Sequence, residues 1–230
     1  MNLEEQIYLR KSCRKYSDED IDMGLIHGFM SSVRSLDDEI SYDYDILGAN
    51  QVNIRTRWSA PYYLALYSDK RDGYGENLGF VFQQLSLYLQ SIGIGSCWVG
   101  MASPKSKKSN FVIMISFGRS DDISRDITEF KRKSLSEISD FEDEKLIPAQ
   151  LAPSAINSQP WYFKHSEDGF DVYQVRQNLL KRQVLKRWNP IDMGISLAHM
   201  YVANEDSFEF FKKSDFNDIK GHTYAGSIKI

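Results

Sequence analysis

The sequence predicts a mixed α+β protein. Three observations carry that prediction: two broad apolar helical segments, several short aromatic and β-branched runs bounded by turn residues, and their alternation along the chain. At 230 residues with 42% hydrophobic composition, the chain is long enough to bury a sizeable core, as one large domain or two small ones. Thirteen Tyr, thirteen Phe and four Trp suit a packed globule and also a pocket for a flat ligand.

Taken in order, Leu3 to Arg10 reads as a helix, with Asn2 as its cap and Leu3 and Ile7 on one face. A second helix is expected from Asp20 to Val33, followed by an acidic, irregular stretch from Ser35 to Asn50. Pro61 to Tyr67 reads as a buried strand, closed by the turn-rich Asp69 to Gly73. From Leu78 to Ile92 an unusually wide apolar stripe (Leu78, Val81, Phe82, Leu85, Tyr88, Leu89, Ile92) predicts a central, largely buried helix. Gly93 and Gly95 end it, Ser96 to Gly100 runs extended, and Phe111 to Phe117 reads as a core strand.

A charged, Ser-rich connector, Asp121 to Ser136, separates two halves, 1–125 and 126–230. Beyond it, a short helix from Glu142 to Leu151 halts before Pro153, because proline disfavours helical geometry in the residue ahead of it. Gln159 to Phe163 and Phe170 to Val175 read as strands joined by the turn Glu167 to Gly169, then a buried helix runs from Ile191 to Ala203 and a last strand from Tyr224 to Ile230. The halves echo each other. Pro61-Tyr-Tyr-Leu and Pro160-Trp-Tyr-Phe each open a strand, and Gly79 and Gly194 each stand near the start of a central helix.

Composition narrows the function. A net charge of −4 argues against a nucleic-acid partner, which demands a basic face, and the basic runs Lys105, Lys107, Lys108 and Lys131, Arg132, Lys133 read as solvated loops. Two distant cysteines, Cys13 and Cys97, make neither a disulfide framework nor a metal site, and no apolar run reaches membrane-spanning length. The N-terminus lacks a signal-peptide pattern, so a cytoplasmic protein with no membrane partner is expected. His27, His165, His199 and His222 lack metal-ligand spacing, and no catalytic side chain or metal is predicted.

Two segments could carry chemistry. In Arg10-Lys-Ser-Cys-Arg-Lys-Tyr16, an extended backbone would project Arg10, Ser12 and Arg14 to one side. Two guanidinium forks and a hydroxyl suit a phosphate monoester, although a solvated basic turn would look the same. In Ala152-Pro-Ser-Ala-Ile-Asn-Ser-Gln-Pro-Trp161, small residues permit close ligand approach while Ser154, Asn157 and Gln159 offer donors and acceptors. A helix-to-strand connection that satisfies its own backbone would need the same residues.

RKSCRKY resembles the RRSxRxY element of the nitroreductase family, and APSAINSQPW closely resembles that family's APSxxNxQPW segment. Leu87 to Gly100 is similar to its central-helix-to-strand passage, LxxxxLGLGSxWxG. The resemblance implies a three-layer α/β/α sandwich built around an FMN site. It departs from the family in one respect: more than half the chain separates the first two elements, and the equivalent place in the first half reads Asn53-Ile-Arg-Thr-Arg-Trp-Ser-Ala-Pro61. That order resembles a divergent branch whose two halves form an internal pseudo-dimer, which implies a monomer with one intact site.

By the resemblance, Arg10, Ser12 and Arg14 would hold the FMN phosphate and ribityl chain. Pro153, Ser154, Ala155 and Asn157 would approach the flavin from the other half, and Trp98, Val99 and Gly100 would lie beside the ring. Gln159, Pro160 and Trp161 would brace the loop. The family's further basic phosphate ligands have no clear counterpart near the C-terminus, with Lys229 and Lys105 as candidate substitutes. The implied reaction passes hydride from NAD(P)H through FMN to a small aromatic or quinone-like acceptor in ping-pong order. A non-catalytic FMN- or ligand-binding protein is the alternative, and a flavin-free scaffold a third.

Overall fold

The computed structural model describes residues 2–106, 108–178 and 183–230, so Lys107 of the first basic run lies outside the described residues. Helix α1 (Leu3–Leu9) begins where Asn2 accepts a hydrogen bond from the Glu5 amide at 3.3 Å. Helix α2 is only Gly24–Met30, shorter than the expected span. Asp22 accepts from the Gly24 amide at 2.9 Å, so the acidic lead-in forms a turn instead of helix.

The larger correction lies just downstream. The stretch expected to be irregular contains strand β1, Tyr42–Gly48. Its Tyr42, Tyr44 and Ile46 pack on the core while the intervening Asp43 and Asp45 do not, which is a strand alternation masked by acidic residues. Strand β1 is the edge of an antiparallel sheet that also contains β3 (Tyr62–Ser68), β4 (Ile94–Val99) and β6 (Phe111–Arg119), in the order β1-β3-β6-β4. Two further short strands, β2 (Val52–Ile54) and β5 (Ala102–Pro104), pair as a separate ribbon. Both escape sequence reading, because three residues carry no period.

Side chains of β3 sort by face. Leu64 and Leu66 point into the main core, whereas Tyr63, Ala65 and Tyr67 join a second cluster with Val52 and Ala102 of the ribbon. The outer face of this sheet is therefore covered by the β2–β5 ribbon.

Helix α3 (Tyr74–Ser91) is buried on nearly every side, so its polar residues must find partners inside. Asn77 accepts from the Leu36 and Asp37 amides and donates to the Ile40 carbonyl, tying the otherwise irregular 34–40 stretch to the helix. In the second half, α4 (Leu135–Ile138) and α5 (Ile147–Leu151) lead to strands β7 (Trp161–Ser166) and β8 (Gly169–Val175). Helix α6 (Asn189–Ala203) and strands β9 (Glu209–Phe211) and β10 (His222–Lys229) follow. The second sheet runs β7-β8-β10-β9, with Trp161, Phe163, Phe170 and Val172 in the same core as α3 and α6.

The two central helices thus lie between the two sheets, so the layers run β/α/β where the resemblance implies α/β/α, and α3 crosses α6 backbone against backbone. A methyl group added at Gly79 would sit 2.1 Å from the Ile191 carbonyl oxygen, and one at Gly194 would sit 1.9 Å from that of Glu76. The two glycines echo in position and act reciprocally, each making room for the other helix. Among the described residues, no helix is long and apolar enough to cross a membrane.

Candidate functional site

After α1, residues 10–17 run extended beside β4. Ser12 bridges Ser96 in parallel, and the Cys13 amide donates to the Ser96 carbonyl at 2.9 Å. Cys13 turns inward against Gly95, where an added methyl would lie 2.6 Å from its sulfur. Arg10 and Ser12 therefore share the opposite side, with the Arg10 Nη2 donating to Ser12 Oγ at 3.0 Å.

Arg10 is almost completely buried, and it is not alone. Burial, with the charges of Arg125 and Arg132 next in importance, pushes its pKa down to about 9. Burial and then Arg125 push Arg132 down to about 10. Arg125 donates from Nε to the Arg10 carbonyl at 3.1 Å and stacks 3.6 Å from the Phe130 ring. None of these guanidiniums forms an ion pair among the described residues, and the Nε of Arg132 is buried without a hydrogen-bond partner. Arg10 is buried while Arg125 and Arg132 are half-buried with Glu129 near Arg125, so a buried guanidinium beside two further cations is costly unless an anion completes the group.

On the other side of the cavity, the 152–160 loop is strained. Ile156, Asn157 and Gln159 all have left-handed backbone, with φ of 48°, 56° and 45°. For a β-branched residue such as Ile156 that costs about 1–3 kcal/mol and marks a place held for a reason. Several bonds hold it. The Ala155 amide donates to both Asp192 oxygens at 3.0 and 3.1 Å, and the Gln159 amide donates to Ser154 Oγ at 2.9 Å. Arg132 donates to Asn157 Oδ1 at 2.6 Å, which links the loop to the arginine group. Asp192 is buried in the first turn of α6, and that burial raises its pKa to about 8.

Trp98 and Val99 end β4, and Gly100 follows. An added methyl at Gly100 would lie 2.8 Å from the Trp188 ring, so glycine lets the end of β4 close against Trp188. Trp98 is fixed by a chain of bonds through the molecule. Its Nε1 donates to Gln83 Oε1 at 3.0 Å, Gln83 Nε2 lies 2.9 Å from His199 Nε2, and His199 Nδ1 lies 2.9 Å from the Pro148 carbonyl. That carbonyl can only accept, so Nδ1 carries the proton and Nε2 accepts from Gln83. Burial, followed by the charges of Arg10 and Arg132, drives the His199 pKa down to about 3 and keeps it neutral.

These elements enclose a cavity of about 420 Å³ that collects Ser12 and Arg14, Trp98 to Gly100, and Pro153 to Ala155. Of the ten residues that the sequence singles out, two do not line it. Arg10 stands behind Ser12, and Asn157 turns away, donating to the Lys131 carbonyl at 2.7 Å. Gln159 also bonds back, accepting from the Lys133 amide at 2.9 Å. Neither Lys229, on β10 opposite Glu209, nor Lys105, at the end of the ribbon, lines the cavity. Sequence reading missed Arg125, Arg132 and Asp192, and it set Arg132 aside as part of a solvated run. Cys97 reaches the cavity wall, but burial raises its pKa and leaves a neutral thiol.

A two-sheet α+β fold with two crossing central helices and a cavity between the halves defines a protein of nitroreductase type. The family model described as "Putative TM nitroreductase" matches residues 2–204, and the chain belongs to that family. In structure it is similar to a putative nitroreductase from Thermotoga maritima MSB8, with 20% identity, a TM-score of 0.67, and coverage of 94% of this chain and 91% of that one. A nitroreductase family protein from Clostridium difficile 630 is 18% identical, with a TM-score of 0.48 over 63% of this chain and 99% of its own. A putative nitroreductase from Desulfovibrio desulfuricans, in complex with FMN, is 15% identical, with a TM-score of 0.47 over 61% and 96%. No curated protein matches the chain.

Proposed function

We propose that this protein is an FMN-dependent NAD(P)H oxidoreductase that reduces a small aromatic or quinone-like acceptor in ping-pong order. The observation that carries the reading is the group of Arg10, Arg125 and Arg132, which forms no ion pair among the described residues and leaves the Arg132 Nε unpartnered, beside a cavity of ligand size. A phosphate monoester is the anion that such a group suits. Ser12 and Arg14, which line the cavity, would meet the FMN phosphate with the charge of Arg10 and Arg132 behind them, and residues 98–100 and 153–155 would flank the ring.

Bound FMN would supply hydride acceptance and donation. The protein's part is placement. The Gln83–His199 chain fixes the Trp98 ring, and Asp192 fixes the Ala155 amide and hence the edge of the loop. Trp58, Trp98 and Trp188 give the cavity aromatic walls that exclude water and admit flat partners in turn.

The two halves, 1–125 and 126–230, form an internal pseudo-dimer in this reading, and the reciprocal fit of Gly79 and Gly194 supports it. The protein would then be a cytoplasmic monomer.

The test is a visible spectrum during titration with FMN, then NAD(P)H, without oxygen. Bound flavin that bleaches with NAD(P)H is the expected result. Flavin that binds but ignores both donors would point to a ligand-binding protein, and no flavin binding at all would overturn the proposal.

A further inference from the structure

A second cavity, of about 540 Å³, adjoins the first and shares Gly100, Met101 and Trp188 with it. Its remaining wall mixes apolar residues such as Phe111 and Val112 with Asn53, Arg55 and Ser103 from the ribbon side and Arg187 from the approach to α6. Arg55 comes from the first half and Arg187 from the second, so this cleft also bridges the halves.

The two arginines are held in place differently. The Arg55 amide donates to the Met101 carbonyl at 3.0 Å, which anchors its backbone and leaves the side chain exposed. Arg187 donates from Nη2 to the Val112 carbonyl at 2.6 Å, and its guanidinium lies 4.7 Å from the Trp188 ring centroid. Arg187 is therefore oriented before any ligand arrives. Neither arginine forms an ion pair among the described residues. Neither lines the cavity assigned to FMN.

We propose that the Arg55–Arg187 cleft binds the diphosphate of a dihydronicotinamide dinucleotide whose ring enters the adjoining cavity. Two guanidinium forks match the two negative charges of a diphosphate. The shared wall of Gly100, Met101 and Trp188 lets one extended ligand occupy both spaces. This assignment rests on the flavin reading, since the nicotinamide ring needs a hydride acceptor beside it.

The experiment separates the two. FMN affinity is measured first, by flavin fluorescence, in the wild type and in the R55A/R187A and R55K/R187K variants. It should be equal in all three. Calorimetric titration of the FMN-loaded proteins with ADP-ribose, which carries the diphosphate without nicotinamide, should then show binding to the wild type. The double alanine variant should bind at least about tenfold more weakly, and the double lysine variant should recover part of the loss. The KM for NAD(P)H should rise in parallel, with a smaller effect on kcat. If FMN binds but ADP-ribose binds equally to wild type and double alanine, or to neither, the donor cleft is overturned while the flavin reading stands. If FMN binds none of the proteins, the flavin reading falls and this assignment falls with it.

Discussion

Residues 52–61 and 152–161 each lead through a proline into a strand, and they serve the cavity in opposite ways. The first stretch begins as strand β2 of the ribbon, has no left-handed non-glycine residue, and offers the side chains of Thr56 and Trp58. The second has three such residues, is pinned by Asp192 and Arg132, and offers small residues and backbone. Side chains can be exchanged without strain, whereas presenting backbone to a ligand needs a bent, pre-paid loop. The ribbon and the strained loop therefore line one cavity in two unlike ways.

At the seam the halves behave alike, and that gives the largest expected effect. Gly79→Ala and Gly194→Ala each force a methyl into a backbone carbonyl of the other helix, so each should cost about 3 kcal/mol of stability in denaturant unfolding. A large cost at one glycine and none at the other would break the symmetry of the crossing.

Next comes the cation group that faces the strained loop. R10M/R132M should weaken FMN binding by about a hundredfold, because the positive charge behind the phosphate site is lost. In the flavin-free protein, relief of the buried Arg10 charge opposes the loss of the Arg132 bonds to the loop, so Tm should change little. A sharp fall in Tm would mean that the bonds from Arg132 to the loop outweigh the cost of the buried charge.

Asp192 gives a pH test of the pin. Its folded-state pKa of about 8 lies above the ordinary 3.8, so between those values the folded protein holds a proton that the unfolded chain has released. Its contribution is thus full below about pH 3.8 and declines as pH rises to about 8. Asp192→Asn keeps an oxygen for the Ala155 amide and should flatten that decline, read from Tm across the window. An unchanged slope would show that Asp192 ionises normally.

The smallest effect is at the loop itself. Ile156→Gly relieves a left-handed β-branched residue and should stabilise the flavin-free protein by up to about 1 kcal/mol, while loosening the loop. A destabilised variant would mean that the exposed side chain packs on something.

Much of the fold was legible because its signals are local. The wide stripe of α3, the proline stop after α5 and the aromatic strands β3, β6 and β7 each declare themselves within a few residues. Strand β1 was hidden because acidic residues occupy its outward positions, and β2, β5 and β9 because each is only three residues long. The site was legible in part for the same reason. The 10–14 and 152–161 elements are contiguous motifs, whereas Arg125, Arg132 and Asp192 are single residues in unremarkable surroundings.

By itself, then, the sequence determined the alternation of helices and strands, the extended Arg10–Arg14 segment, and the small-residue loop, since period, turn chemistry and residue size act between near neighbours. Only the tertiary structure decided that Arg125 and Arg132 would gather about the buried Arg10, that Asn157 would answer Arg132 and not the cavity, and that Asp192 would hold the loop. Charge compensation and burial depend on what lies nearby in space, and for these residues those neighbours come from distant parts of the chain.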